Sequence, residues 1–164
     1  MIPRFLNGLY WAEAILAVTA FSGVALALTA DVIGREIFGD GIYGAQKFAV
    51  YCTAVAGMTG FALVVAKGGH LRPKFFDRIV PQRYDAQANR VADFAAAAIC
   101  IFLGIYALQF VISSYQLQER GLGLNILVWP IQSIIPYVLF SSALRYSLFA
   151  LSPANRPAEE GFDP

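Results

Sequence analysis

The sequence predicts an all-α membrane protein, with four transmembrane helices and a short amphipathic interfacial helix between spans two and three. Three observations predict it. First, four stretches carry no charged residue, at 14–30, 48–66, 94–118 and 121–144. Each is close to or above the roughly 20 residues that an α-helix needs to cross a bilayer's hydrocarbon core. Second, these runs do not alternate polar with apolar residues, as barrel strands do. Helices and closed barrels are the two structures that satisfy backbone polar groups in lipid. Third, 58% of the 164 residues are hydrophobic and 14% charged, with a mean hydropathy of +0.59. Soluble domains are about a quarter charged. A soluble bundle of buried helices is the competing reading, and four spanning-length runs in one short chain weigh against it.

The elements follow in order. A four-helix transmembrane domain is expected over 1–150, with spans near 12–33, 46–66, 91–117 and 126–148 and a disordered cytoplasmic tail over 151–164. Span one ends near Asp31 and Arg35, which stand four apart and so pair across one helical turn. The triplet Gly39-Asp40-Gly41 breaks the helix, and the short connection makes spans one and two an antiparallel hairpin. Arg4 followed by an apolar run and Ala25-Leu26-Ala27 also fits a cleaved signal peptide. The run continues through Leu28 and Ala30, which favours a retained helix.

Span two sets Thr53 four residues from Gly57, and Ala56 four from Gly60. Small residues at this spacing let transmembrane helices approach closely, either inside one bundle or against another subunit. Gly68-Gly69 ends this helix. An interfacial helix is then expected over 73–80, with Phe75 and Phe76 toward lipid and Lys74 and Arg78 toward headgroups. His70, Arg72, Trp129 and Arg145 are placed at the lipid interface as well, Arg145 by snorkelling from the end of span four. Pro130 suits a first helical turn, and Pro136 is expected to kink span four. Candidate interface or packing residues are Arg35, Gln46, Thr53, Gly57, Gly60 and Pro136.

Charge placement sets the orientation. Lys67, Arg72, Lys74, Arg78, Arg83 and Arg90 lie between spans two and three, on the side shared by Arg4, Arg145 and Arg156. The other side holds Arg35, Lys47 and Arg120. Lysine and arginine accumulate in the cytoplasm, so both termini are expected there. The formal net charge of +1 gives no global attraction to nucleic acid, and no nucleic-acid partner is expected.

The residues assemble no enzyme site. Cys52 and Cys100 lie in separate apolar runs without a zinc or Cys-x-x-Cys spacing, and are read as packing residues. His70 is the one histidine, whereas intramembrane haem is often held by two. No catalytic residue, metal ligand or cofactor is expected. Charges within spans usually mark substrate or ion pathways. Here Glu13, Asp31 and Arg145 are read at helix ends, which points to a subunit that supports a partner doing the transport.

Several segments taken in order resemble the small membrane subunit of tripartite ATP-independent periplasmic (TRAP) transporters. They are Asp31-Val-Ile-Gly-Arg35, Gly44-Ala-Gln-Lys, Gly57 with Gly60, Lys67-Gly-Gly-His-Leu-Arg72, Trp129-Pro130, Ile135-Pro136 and Ala143-Leu-Arg145. Two departures stand out. The family commonly has a glutamate where this chain has Gln46, which keeps hydrogen bonding without the charge. It also often has a tryptophan where this chain has Tyr51-Cys52-Thr53. The resemblance implies a multi-pass protein of the bacterial inner membrane that pairs with a large multi-span transport subunit and a periplasmic solute-binding protein. Such systems take up organic acids with a sodium gradient, and the small subunit enlarges and anchors a static scaffold among membrane lipids. Two other classes remain open on the residues alone. One is the membrane anchor subunit of a respiratory enzyme, binding quinone or haem. The other is a self-associating small membrane protein or channel.

Overall fold

The computed structural model describes residues 2–68, 85–121 and 125–152. Five helices follow in order: α1 (Ile2–Phe38), α2 (Ala45–Ala66), α3 (Asp85–Gln116), α4 (Trp129–Gln132) and α5 (Ile134–Leu151). Among the described residues there is no strand beyond a single bridge between Arg120 and Leu127. Four helical segments are long and apolar enough to cross a membrane: Phe5–Phe38, Ala45–Ala66, Gln87–Gln116 and Trp129–Leu151. The expected interfacial helix at 73–80 and nearly all of the expected tail lie outside the described residues. At 1.5 Å per residue, α1 is about 56 Å long, which exceeds a hydrocarbon core of about 30 Å. It must therefore tilt or project beyond the core.

Packing divides the bundle into two hairpins. α1 lies along α2 and α3 along α5, and the hairpins meet where α2 packs on α5. The distribution of residues is that of a protein in lipid. Large apolar side chains such as Val18, Phe21, Leu26, Phe102 and Tyr106 are exposed. Small and polar ones are buried, among them Ala49, Thr59, Ala62, Ala97, Ser142 and Ala143. Lipid tails are as apolar as leucine, so close backbone approach and polar contacts hold such helices together. At the seam between the hairpins, Val65 of α2 meets Ala96, Ala97 and Cys100 of α3 and Ala143 and Tyr146 of α5. Within the hairpins, Gly23 of α1 faces the Cys52 thiol of α2, and Gly104 of α3 faces the Phe140 ring of α5.

Chain breaks follow from backbone chemistry. Gly44 (φ 84°) precedes α2, and Gly68 (φ 80°) follows it, both in the left-handed region where glycine carries no Cβ penalty. Span four breaks at Ser133, between α4 and α5, rather than at Pro136 itself. Proline has no N–H to donate to the carbonyl four residues back and its ring clashes with it. That carbonyl belongs to Gln132, the last residue of α4. Pro130 falls in the first turn of α4, where a missing N–H costs little.

Candidate functional site

The most concentrated chemistry in the described residues is a polar node buried among α1, α2 and α5. Glu13 and Arg145 are each 1% exposed. An Arg145 Nη2 donates to Glu13 Oε2 at 2.7 Å. The Ser141 hydroxyl donates to Glu13 Oε1 at 2.7 Å, and the Tyr137 side chain hydrogen-bonds to the same carboxylate. The other Arg145 nitrogen, Nη1, donates to the Ala62 carbonyl of α2 at 3.1 Å. Tyr137, Ser141 and Arg145 stand four residues apart, so they form one stripe along α5.

This corrects the reading of Arg145 as a lipid-interface residue, and of Glu13 as a charge at a helix end. An arginine near the end of a span snorkels when water is its best partner. Here a carboxylate and a carbonyl are within reach inside the bundle, and the side chain turns inward. The pairing was hidden by a separation of 132 residues. A signal for it existed, because the topology already placed both residues toward the same end of the bundle. A lone acid there needs a base nearby.

A second polar site lies at the α1–α2 turn. Asp31 accepts from Arg35 at 2.6 Å and from the backbone N–H of Ile42 at 2.8 Å. The predicted Asp31–Arg35 pair is thus present, and Asp31 also ties down the following turn. A cavity of about 450 Å³ opens here, lined by Asp31, Arg35, Gly41, Tyr43, Gln46 and Lys47 among others. The Arg35 side chain is 52% exposed and that of Asp31 6%. Arg35 and Gln46, predicted as interface or packing residues, are therefore brought to one place.

The remaining predicted residues are dispersed. Thr53 is exposed and its hydroxyl donates to the Ala49 carbonyl at 2.8 Å. A β-carbon on Gly57 or Gly60 would meet nothing within 4 Å, so neither glycine serves close packing among the described residues. Pro136 is buried. Trp129 is half-buried, with its ring edge-on to Tyr115 at 5.3 Å. His70, Arg72, Lys74, Phe75, Phe76 and Arg78 lie outside the described residues. Among the described residues no group of three or more His, Cys, Asp or Glu could hold a metal ion. Both cysteines are free.

Comparison with known proteins found no match among curated sequences. A family model, described as tripartite ATP-independent periplasmic transporters, DctQ component, matches residues 24–155. That range takes in α2 to α5 whole and the C-terminal part of α1, residues 24–38. That family is a transporter component and not an enzyme, and its members work in systems with a large membrane subunit and a periplasmic binding protein. The chain belongs to this family, that of the small subunit of TRAP transporters.

Proposed function

We propose that this chain is the accessory scaffold subunit of a sodium-driven organic-acid uptake system, and that it pairs with the large transport subunit in the bacterial inner membrane. The observation that carries the accessory role is the state of its buried charges. Glu13 and Arg145 neutralise each other, Asp31 is taken by Arg35 and the Ile42 N–H, and Asp93 is engaged as well. Among the described residues no ionised side chain is left over in the interior for a coupling ion or an anionic solute. The substrate and ion sites then belong to the partner.

Both termini are proposed to face the cytoplasm. Removing Arg145 from the headgroup count leaves the asymmetry in place, because the connection between α2 and α3 alone carries five basic residues, Lys67, Arg72, Lys74, Arg78 and Arg83. The face of α2 that bears Thr53, Gly57 and Gly60 is proposed as part of the contact with the large subunit, since Thr53 and Gly57 are exposed and a β-carbon on either glycine would meet nothing within 4 Å among the described residues.

Deletion of the chain in a strain that retains the large subunit and the binding protein tests the reading. Solute uptake should be lost while the large subunit still reaches the membrane. Uptake at the full rate without this chain would sink the proposal.

A further inference from the structure

We propose that the Glu13–Arg145 pair clamps the α1–α2 hairpin onto the α3–α5 hairpin, and that each charge is tolerated in the bundle because the other is present.

The argument begins with packing. α1 packs chiefly along α2, and its backbone approach to α5 is slight by comparison. Yet the Glu13 side chain reaches across to Tyr137, Ser141 and Arg145, a stripe covering two turns of α5. One carboxylate therefore fixes α1 against about 12 Å of α5. Arg145 adds the third helix through the Ala62 carbonyl, which has a second lone pair beyond the one used in its own helix.

The apolar part of the seam is thin. Its buried members include Ala96, Ala97 and Ala143, which offer little area. Two halves that lipid would solvate equally well gain no hydrophobic drive to meet. A charged, hydrogen-bonded node in a low-dielectric interior is the strongest directional contact available there. It is also specific. Sliding α1 by one turn would strand the carboxylate in lipid and leave the guanidinium unpaired, and both states are costly. Removing one partner should therefore harm the bundle more than removing both.

Cys100 supplies a native reporter. It is 2% exposed and sits in the seam between Val65 on one hairpin and Ala143 on the other. Separation of the hairpins would open it to a thiol reagent. Cys52 faces Gly23 within one hairpin and is removed as Cys52→Ala so that one thiol reports. The full chain in detergent is treated with N-ethylmaleimide and followed by intact mass. Glu13→Gln and Arg145→Gln should each speed the labelling of Cys100 by about tenfold or more, the scale on which breaking a buried pair acts. The double variant Glu13→Gln/Arg145→Gln should label closer to the parent rate than either single variant. Single variants that label at the parent rate would overturn the clamp. So would a double variant whose acceleration equals the product of the two singles, because independent sites multiply in rate.

If the single variants do not accumulate, Ser141→Ala decides the matter. It removes one of the hydrogen bonds to Glu13 and leaves both charges. Labelling about threefold faster is expected, as for the loss of a modest hydrogen bond, and an unchanged rate overturns the clamp. The outcome does not depend on the transport reading, because it concerns how this chain seats its own helices.

Discussion

The Tyr51 hydroxyl occupies the place where a β-carbon on Gly121 would stand. Tyr51 belongs to α2, and Gly121 to the connection that follows α3. Gly121 is held by a hydrogen bond from its N–H to the Ile126 carbonyl at 2.9 Å. This contact seats the connection between the second pair of helices on the first hairpin, at the same end as the α1–α2 turn. Gly121→Ala should overlap the phenol and lower stability by about 1–2 kcal/mol, the usual range for overpacking. Gly121→Ala/Tyr51→Phe should recover most of the loss, because the offending oxygen is gone. Thermal midpoints in detergent measure both, and a double variant no better than Gly121→Ala would show that the overlap is not the cause.

The α1–α2 turn makes a second prediction. A β-carbon on Gly41 would lie 2.7 Å from Asp31 Oδ1 and 2.8 Å from Arg35 Nε. Gly41→Ala should push apart the two side chains that hold the turn. Asp31→Ala removes the acceptor for both the Ile42 N–H and Arg35. It should cost about 0.5–1.5 kcal/mol, the usual net worth of a hydrogen bond whose donor water can reach. Proteolysis at the turn in reconstituted vesicles should rise in both variants. Equal protection in Asp31→Ala and the parent would mean that the carboxylate does not hold the turn.

Two glycines with opposite surroundings give a third. A β-carbon on Gly104 would lie 3.0 Å from the Phe140 ring, whereas one on Gly57 would enter open space. Gly104→Leu should destabilise the chain by about 1–3 kcal/mol through overpacking. Gly57→Leu should leave the stability of the chain, read from its thermal midpoint, within about 0.5 kcal/mol of the parent, as surface changes usually do. If the α2 face meets the large subunit, Gly57→Leu should nevertheless lower co-purification of that subunit. Normal recovery of the pair from Gly57→Leu membranes would remove this face from the proposed contact.

Pro136 gives a fourth. Pro136→Ala restores an N–H that can bond to the Gln132 carbonyl, and α4 and α5 should merge into one helix through Ser133. The amide of residue 136 should then show slow hydrogen exchange. Rapid exchange there would place the cause of the break elsewhere.

The fold class was legible because lipid leaves so few options. Uncharged runs of spanning length have to be helices, and Gly68 and Pro130 mark boundaries with residues whose backbone chemistry is specific. The Asp31–Arg35 pair was legible for the same local reason, since four residues make one turn. Pro136 was legible as a disturbance but not in position, because its effect falls on the carbonyl four residues back. The Glu13–Arg145 node was not legible as a contact. Its members are 132 residues apart, and the helical pattern shows which face a residue occupies, not which distant helix covers that face. Gly57 and Gly60 show the converse. Their spacing signals close approach, and nothing among the described residues makes it.

α1 runs 11 residues back from Glu13 to Ile2, whereas α2 continues four residues past Ala62 and α5 six past Arg145. From the level of the node, the first helix thus overhangs its neighbours by about 8–10 Å of unbroken rod. A fluorophore coupled to the exposed Asn7 through Asn7→Cys would ride on that rod instead of a floppy tether. Its anisotropy decay would then track the rotation of the whole particle, and would lengthen on capture of a heavier companion.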